Sequence, residues 1–305
     1  MEYGLRLASP ADPPRDPRDA CPPAWRSLLP EGPTVALYFG TEFCEDRLPD
    51  LGEANAFCAL ARECDWEPVL LTPLVTPEGL RTVDHLLAGL AVNHWTPAVV
   101  FNDWGILGLL RDHHPSLPRR AGRLLNRSLR DPRAYRDAPA GGATHDASRY
   151  ERLRRHFSAM GVEAIETDVD LDGGYLGDGP DCRGVGDEQP PRSLRSLPPE
   201  GVHSALRAAG RALSRALHVP FTFAASGRNC PLKAGLYPEG HGFSKALADP
   251  CPGPCRGKPL PVQRQDSALT HWRGGNTLFY EIPHDAARGW VPRTDRIVVH
   301  ETATP

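Results

Sequence analysis

The sequence predicts an α/β fold, and three observations carry that prediction. Runs rich in β-branched, aromatic and aliphatic residues, PTVALYFG, EPVLLTPLV and TPAVVFND, recur along the first hundred residues. They do not alternate with polar residues, which suits strands buried on both faces as in a parallel sheet. Between them lie amphipathic stretches of helical length, so strand and helix alternate.

The elements follow in order. Residues 1–31 are rich in proline and charge, and the sequence predicts a flexible lead-in there, ahead of a single α/β domain over 32–305. PTVALYFG is the first expected strand, followed by a helix over 51–65, a strand at EPVLLTPLV, a helix over 77–92 and a strand at TPAVVFND. WGILGLLRDHH reads as a short helix, and LPRRAGRLLNRSLRDPRAY as an extended piece leading into a basic loop. A helix is expected over about 147–160, closed by Gly161, with a strand at VEAIETDVD. Residues 171–200 are dense in Gly, Pro and Asp, as in a loop insertion. The stretch 201–217 has helical periodicity, with Arg207, Arg211 and Arg215 on a solvated stripe. VPFTFAASG, NTLFYEI and RIVVH are the remaining strands.

Composition excludes several classes of function. The net charge of −3 offers no basic surface for nucleic acid or anionic lipid. No apolar run reaches the roughly 18 residues of a membrane span. MEYGLRLASPADPPRD has no apolar core of a secretory leader, so a cytoplasmic chain is expected. Such a chain keeps its eight cysteines reduced, which favours metal or redox chemistry over disulfides. No nucleophile elbow, Walker loop, HExxH motif or dinucleotide fingerprint is present.

The chemistry is expected at four cysteines. Cys44 follows the first long strand, Cys230 follows VPFTFAASG, and Cys251 and Cys255 form a C-x3-C pair turned back on itself by Pro252, Gly253 and Pro254. Cys44, Cys230, Asn102 and Asp103 all stand just past predicted strands, at the edge where α/β sites assemble. Four thiolates suit zinc or an iron–sulfur cluster. The dispersed pattern, with one tight pair where structural zinc favours two, tilts toward a cluster. Cys58 and Cys64 lie on a helix and read as buried packing residues, while Cys21 and Cys182 sit in segments ill suited to orient a ligand. His113 and His114 read as helix-end caps, and His241 as loop surface. Arg228 and Arg256 flank the cluster cysteines and are candidates for holding an anionic substrate.

YFGTEFCEDR at 38–47, FNDWGILGLL at 101–110, RAGRLLNRSLRDPR at 120–133, HVPFTFAASGRNC at 218–230 and PCPGPCRG at 250–257 resemble, in order, the blocks of the collagenase-like peptidase family U-thirty-two. The similarity is strongest to its short, UbiV-like single-domain branch. That resemblance implies a TIM-barrel-like (β/α) fold, complete or else incomplete or irregular, and a 4Fe-4S cluster on Cys44, Cys230, Cys251 and Cys255. It further implies oxygen-independent hydroxylation of a small-molecule substrate, as in ubiquinone biosynthesis, with prephenate as oxygen donor and a UbiU-like partner of the same family. Asn102, Asp103 and Arg123 then become residues that face the substrate or support the cluster. The alternatives are a zinc-stapled, non-catalytic scaffold or partner protein, and a peptidase of the same family.

Overall fold

A computed structural model describes residues 1–125, 147–169, 213–236, 251–253, 255, 259–265, 267 and 269–301. Eight strands form a closed, all-parallel barrel: β1 (Glu2–Arg6), β2 (Thr34–Gly40), β3 (Glu67–Leu71), β4 (Ala98–Phe101), β5 (Arg119–Ala121), β6 (Val162–Thr167), β7 (Ser214–Val219) and β12 (Arg296–His300). They follow one another in sequence around the barrel, and β12 closes it between β7 and β1. Between β7 and β12 the chain builds a second, four-stranded antiparallel sheet in the order β8 (Phe221–Ser226), β11 (Thr277–Glu281), β10 (His271–Gly274) and β9 (Leu260–Val262). The expected TIM-barrel-like α/β fold is therefore present and closed.

Strand periodicity sorts the barrel into an inner and an outer layer. Ala36 and Tyr38 of β2 pack with Val69, Leu71, Ala98, Val100, Ala216 and Val298 in one small cluster inside the barrel. Their neighbours Leu37, Phe39, Leu70, Val99, Phe101, Leu217, Ile297 and Val299 belong to a larger cluster outside it, beneath the helices. Both layers are apolar in the centres of β2, β3 and β4, which is why these segments read as continuous hydrophobic runs.

The helices start where the sequence supplies caps. Helix α2 (Leu51–Glu63) follows α1 (Pro23–Arg26) and begins at Asp50, whose carboxylate accepts from Glu53 N at 2.8 Å. Helix α3 (Pro77–Val92) begins at Thr76, whose hydroxyl accepts from Gly79 N at 3.1 Å, with Pro77 at the first helical position. Their buried stripes, Ala54, Phe57, Cys58 and Ala61 on α2 and Val83, Leu86, Leu87 and Leu90 on α3, cover the outer faces of the strands. Phe57 stacks on Phe39 of β2 with ring centroids 5.0 Å apart. Burial of each such side chain contributes about 1.5–3 kcal/mol. Helices α4 (Trp104–Asp112) and α5 (Ala147–Ala159) continue the outer layer, and Gly161 takes φ +72 just after α5.

Two expectations are corrected. Residues 1–31 do not form a loose lead-in: Glu2–Arg6 is a barrel stave paired with both β2 and β12, and Trp25 is fully buried, its Nε1–H donating to Glu281 Oε1 at 3.1 Å. The signal was the alternation Tyr3, Leu5, Leu7 against Glu2, Gly4, Arg6, and bulk composition hid it. The helical reading of 201–217 gives way to strand at Ser214–Val219, where pairing with β6 and β12 overrides the helix propensity of SRAL. Residues 201–212 and the 171–200 insertion lie outside the described residues, as do Cys182, His241 and Arg256. The apolar run through 218–226 is two strands, broken at Pro220, which has no N–H to give to a ladder. Among the described residues no helix is long and apolar enough to cross a membrane.

Candidate functional site at the barrel mouth

The carboxyl ends of the staves carry a ring of buried polar residues. Arg6 of β1, Thr41 and Glu42 after β2, Thr72 after β3, Asn102 after β4, Arg123 after β5, Asp168 after β6, His218 in β7 and His300 ending β12 are all buried. The first tier of this mouth is an ion triad. Arg123 Nε donates to Glu42 Oε1 at 3.0 Å, its Nη2 donates to Glu42 Oε2, and Nη1 donates to Asp168 Oδ1 at 2.9 Å. Burial works against the guanidinium's charge, but the two carboxylates raise its pKa. Burial likewise opposes the Glu42 carboxylate, and Arg123 outweighs it, so Glu42 stays ionised. The guanidinium also lies over Phe43 and Phe223, 5.4 and 5.8 Å from the ring centroids.

Below that tier runs a hydrogen-bonded column inside the barrel. Glu166 Oε2 pairs with His218 Nε2 at 2.8 Å, and His218 Nδ1 pairs with His300 Nε2 at 2.6 Å. Tyr38 OH donates to Glu166 Oε1 at 3.3 Å and accepts from Arg120 Nη1 at 2.9 Å. Arg120 reaches Glu67 Oε2 at 2.6 Å, where Arg296 also arrives at 3.1 Å. Burial, then the proximity of His218, Arg123 and Arg6, pushes the His300 pKa well below the ordinary imidazole value. His300 is therefore neutral at physiological pH.

The antiparallel sheet sits against this mouth. Phe43 packs on Phe223 of β8 and Phe279 of β11 at centroid distances of 4.7 and 5.6 Å. Asn276 Nδ2 donates to Phe43 O and to Gly227 O, each at 2.6 Å. Those contacts place Cys44, the next residue, beside the segment that carries Cys230. A second clasp fixes the pair. A 3₁₀ turn, Glu45–Arg47, follows Cys44, and the nearly buried Lys233 of α6 (Pro231–Ala234) donates to its Asp46 Oδ2 at 2.9 Å. On the other side of the same turn Glu45 accepts from Thr76 N and Oγ1 and so joins it to the start of α3.

Cys44 lies within electrostatic reach of Cys230 and Cys255, and Cys255 within that of Cys230 and Cys251. Burial, Asp46 and the neighbouring Cys255 and Cys230 push the Cys44 thiol up to about 12. Burial also raises Cys255, where Arg47 opposes the shift and Cys230 and Cys251 add to it. Cys44 and Cys230 are buried, while Cys251 and Cys255 are half-buried. Gly253 adopts φ +74, the left-handed turn the C-x3-C spacing requires, and its N–H donates to Cys251 Sγ at 3.4 Å. Cys230 reaches the group from β8 of the antiparallel sheet rather than from a barrel stave as the sequence predicted. Cys58 is fully buried in α2 and Cys64 caps its end, both as packing residues.

The other candidates divide between support and periphery. Asn102 is fully buried; its Nδ2 donates to Thr72 O at 2.9 Å and its Oδ1 accepts from Leu124 N at 2.9 Å, so it orients the turn that carries Arg123. A Cβ on Gly122 would lie 2.2 Å from that Oδ1, which leaves only glycine room there. Asn102→Ala should lower unfolding stability by about 1–3 kcal/mol, read from denaturant midpoints, by stranding the Leu124 amide. Asp103 is a cap: it accepts from Gly105 N at 2.7 Å and from Val75 N at 3.2 Å. Arg228 is exposed and donates to Val75 O at 3.4 Å. His113 caps α4, and His114 pairs with Asp84 at 2.8 Å far from the mouth, as helix-end residues do.

The sequence reading passed over Glu42, Glu166, Asp168, His218 and His300. Their signal was present: each is a polar residue within or just past an apolar strand, and Glu166, His218 and His300 share the inward register of Ala164, Ala216 and Val298.

Fold and site together define a parallel eight-stranded barrel whose polar residues and clustered thiols gather at the carboxyl ends of its strands, under a small antiparallel sheet. Among solved structures, the chain is similar to the U32 peptidase Mk0906 over its whole length and 94% of that chain, at 13% identity and a TM-score of 0.41. It is also similar to a glycoside hydrolase family 18 N-acetylglucosaminidase from Paenibacillus barengoltzii, over 87% of this chain and 88% of the other, at 12% identity and a TM-score of 0.31. Likeness at this level says nothing of chemistry, and the barrel rests on its own strand pairing. No protein-family model and no curated protein matches the chain.

Proposed function

We propose that Cys44, Cys230, Cys251 and Cys255 hold a 4Fe-4S cluster, and that the protein is an enzyme or enzyme subunit of oxygen-independent hydroxylation. The observation that supports the proposal is that thiols from three separate segments lie within electrostatic reach of one another, Cys44 of Cys230 and Cys255, and Cys255 of Cys230 and Cys251. The preference for a cluster over one zinc ion rests on the dispersed order of the four cysteines in the sequence, with a single tight C-x3-C pair where structural zinc favours two.

Two further groups fit a sulfur-rich anion. Arg47 Nη1 is buried without a hydrogen-bond partner among the described residues, and its charge acts on Cys255. The Gly253 N–H already points at a cysteine sulfur. Donors of this kind stabilise an electron-rich cluster. A bound cluster would supply one-electron transfer, and the chain itself would hold it half-shielded from water against Phe43 and the antiparallel sheet. The hydroxylation reading, with a small-molecule substrate and a UbiU-like partner, draws its support from the sequence blocks that resemble the U-thirty-two family.

Protein purified without oxygen should be brown and contain about four iron and four sulfide per chain. Cys→Ser at any of the four positions should bleach it, whereas Cys58→Ser should not. Colourless protein with one equivalent of zinc would overturn the cluster. Cluster-loaded protein that, with its family partner, adds no oxygen atom to any quinone precursor under argon would overturn the hydroxylation.

A further inference from the structure

We infer that the barrel mouth contains a second, cysteine-independent metal site, in which Glu42, His218 and His300 bind a divalent first-row transition-metal ion. These three residues come from the carboxyl ends of β2, β7 and β12, and one ligand atom from each lies within 4.8 Å of the others. All three are buried, so the geometry is set by the barrel and not by mobile surface side chains.

The surroundings are those of a metal site in two respects. The first is the tautomer of His218. Glu166 is an acceptor at Nε2, so that nitrogen carries the proton and Nδ1 turns its lone pair toward His300 Nε2, 2.6 Å away. A carboxylate on the far nitrogen is the usual support of a ligating imidazole, because it fixes the ring and makes the free nitrogen more basic. The second is Glu42, whose two oxygens each accept one bond from Arg123 and keep a lone pair for an ion. Two histidines and one carboxylate on one side of an ion form the facial set typical of non-haem iron(II), with the remaining positions open to water or substrate.

The test uses the full chain and cobalt(II) as probe, with stoichiometry from equilibrium dialysis and geometry from the visible d–d absorption. One equivalent should bind with nitrogen and oxygen ligation and without a thiolate-to-cobalt charge-transfer band. Cys251→Ser should lose iron and sulfide yet keep this cobalt site. His300→Ala and His218→Ala should abolish it. Glu166→Gln, which keeps the ring in place, should weaken cobalt binding about 10–100-fold. Circular dichroism on each variant separates lost binding from lost fold, and Glu166→Gln carries the test if the histidine variants do not fold. Cobalt that binds through thiolates, or that survives His300→Ala in a folded protein, overturns the inference. So does wild-type protein that takes up no cobalt while its iron and sulfide are intact, an outcome that leaves the cluster proposal standing.

Discussion

A chain beginning at residue 32 should not fold. Removal of residues 1–31 deletes a whole stave of the barrel, because Glu2–Arg6 is hydrogen-bonded to β2 on one side and β12 on the other. The two exposed strand edges would have to close across the gap, at the cost of the ladder bonds and of the buried side chains Tyr3, Leu5, Leu7, Trp25 and Leu29. Trp25→Ala isolates part of this effect in the full chain. It removes a fully buried ring that bonds Glu281 and meets His284 edge-on at 5.1 Å, and should lower stability by about 3–5 kcal/mol. Denaturant unfolding followed by circular dichroism reads both results. A 32–305 chain with a cooperative transition at the midpoint of the full chain would show that the N-terminal strand is dispensable.

Arg123→Met should be the most damaging single change at the mouth, costing about 3–5 kcal/mol in stability. The guanidinium has no exposure, and its loss removes the ion-pair partner of the buried Glu42 and Asp168 and the cation that holds Glu42 ionised. Either Glu42 takes up a proton or water enters the mouth, and both weaken the fold. The triple variant Arg123→Met, Glu42→Gln, Asp168→Asn should recover much of the loss, since removal of all three charges costs less than removal of one partner. The sign with pH follows. Burial alone would raise Glu42, but Arg123 lowers it below its unfolded value, so its contribution is present above the ordinary carboxylate pKa and disappears as pH falls through the lower folded value. In Arg123→Met that acid-side loss should move to higher pH. A variant as stable as the parent, with the same acid transition, would show that the triad contributes nothing.

Much of this architecture was legible in the residues. The helices α2, α3 and α4 start at Asp50, Thr76 and Asp103 because each offers a short oxygen to the first free amides, and each lies next to a periodic apolar stripe. The strands β2, β3 and β4 were legible because a parallel stave is buried on both faces and so is apolar throughout. The readings failed where bulk composition masked local periodicity. At residues 2–7 prolines and charges nearby hid a clean alternation, and at 214–219 a helix-forming composition yielded to pairing on both sides.

For the candidate site, the sequence by itself determined that Cys44 and Cys230 stand just after apolar strands and that Pro252 and Gly253 can fold the C-x3-C pair back. What only the tertiary structure decided is the company they keep. Lys233 and Asp46 are 187 residues apart, and Phe43 meets Asn276 across 233, so no local pattern could reveal the clasps that bring Cys44 beside Cys230. The same holds for Glu42, His218 and His300, which are ordinary polar residues in separate strands until the closure of the barrel places β1, β2, β7 and β12 side by side. Local chemistry fixes where a strand or helix can begin. Which strand ends share one mouth is a property of the closed sheet, set by long-range pairing and burial.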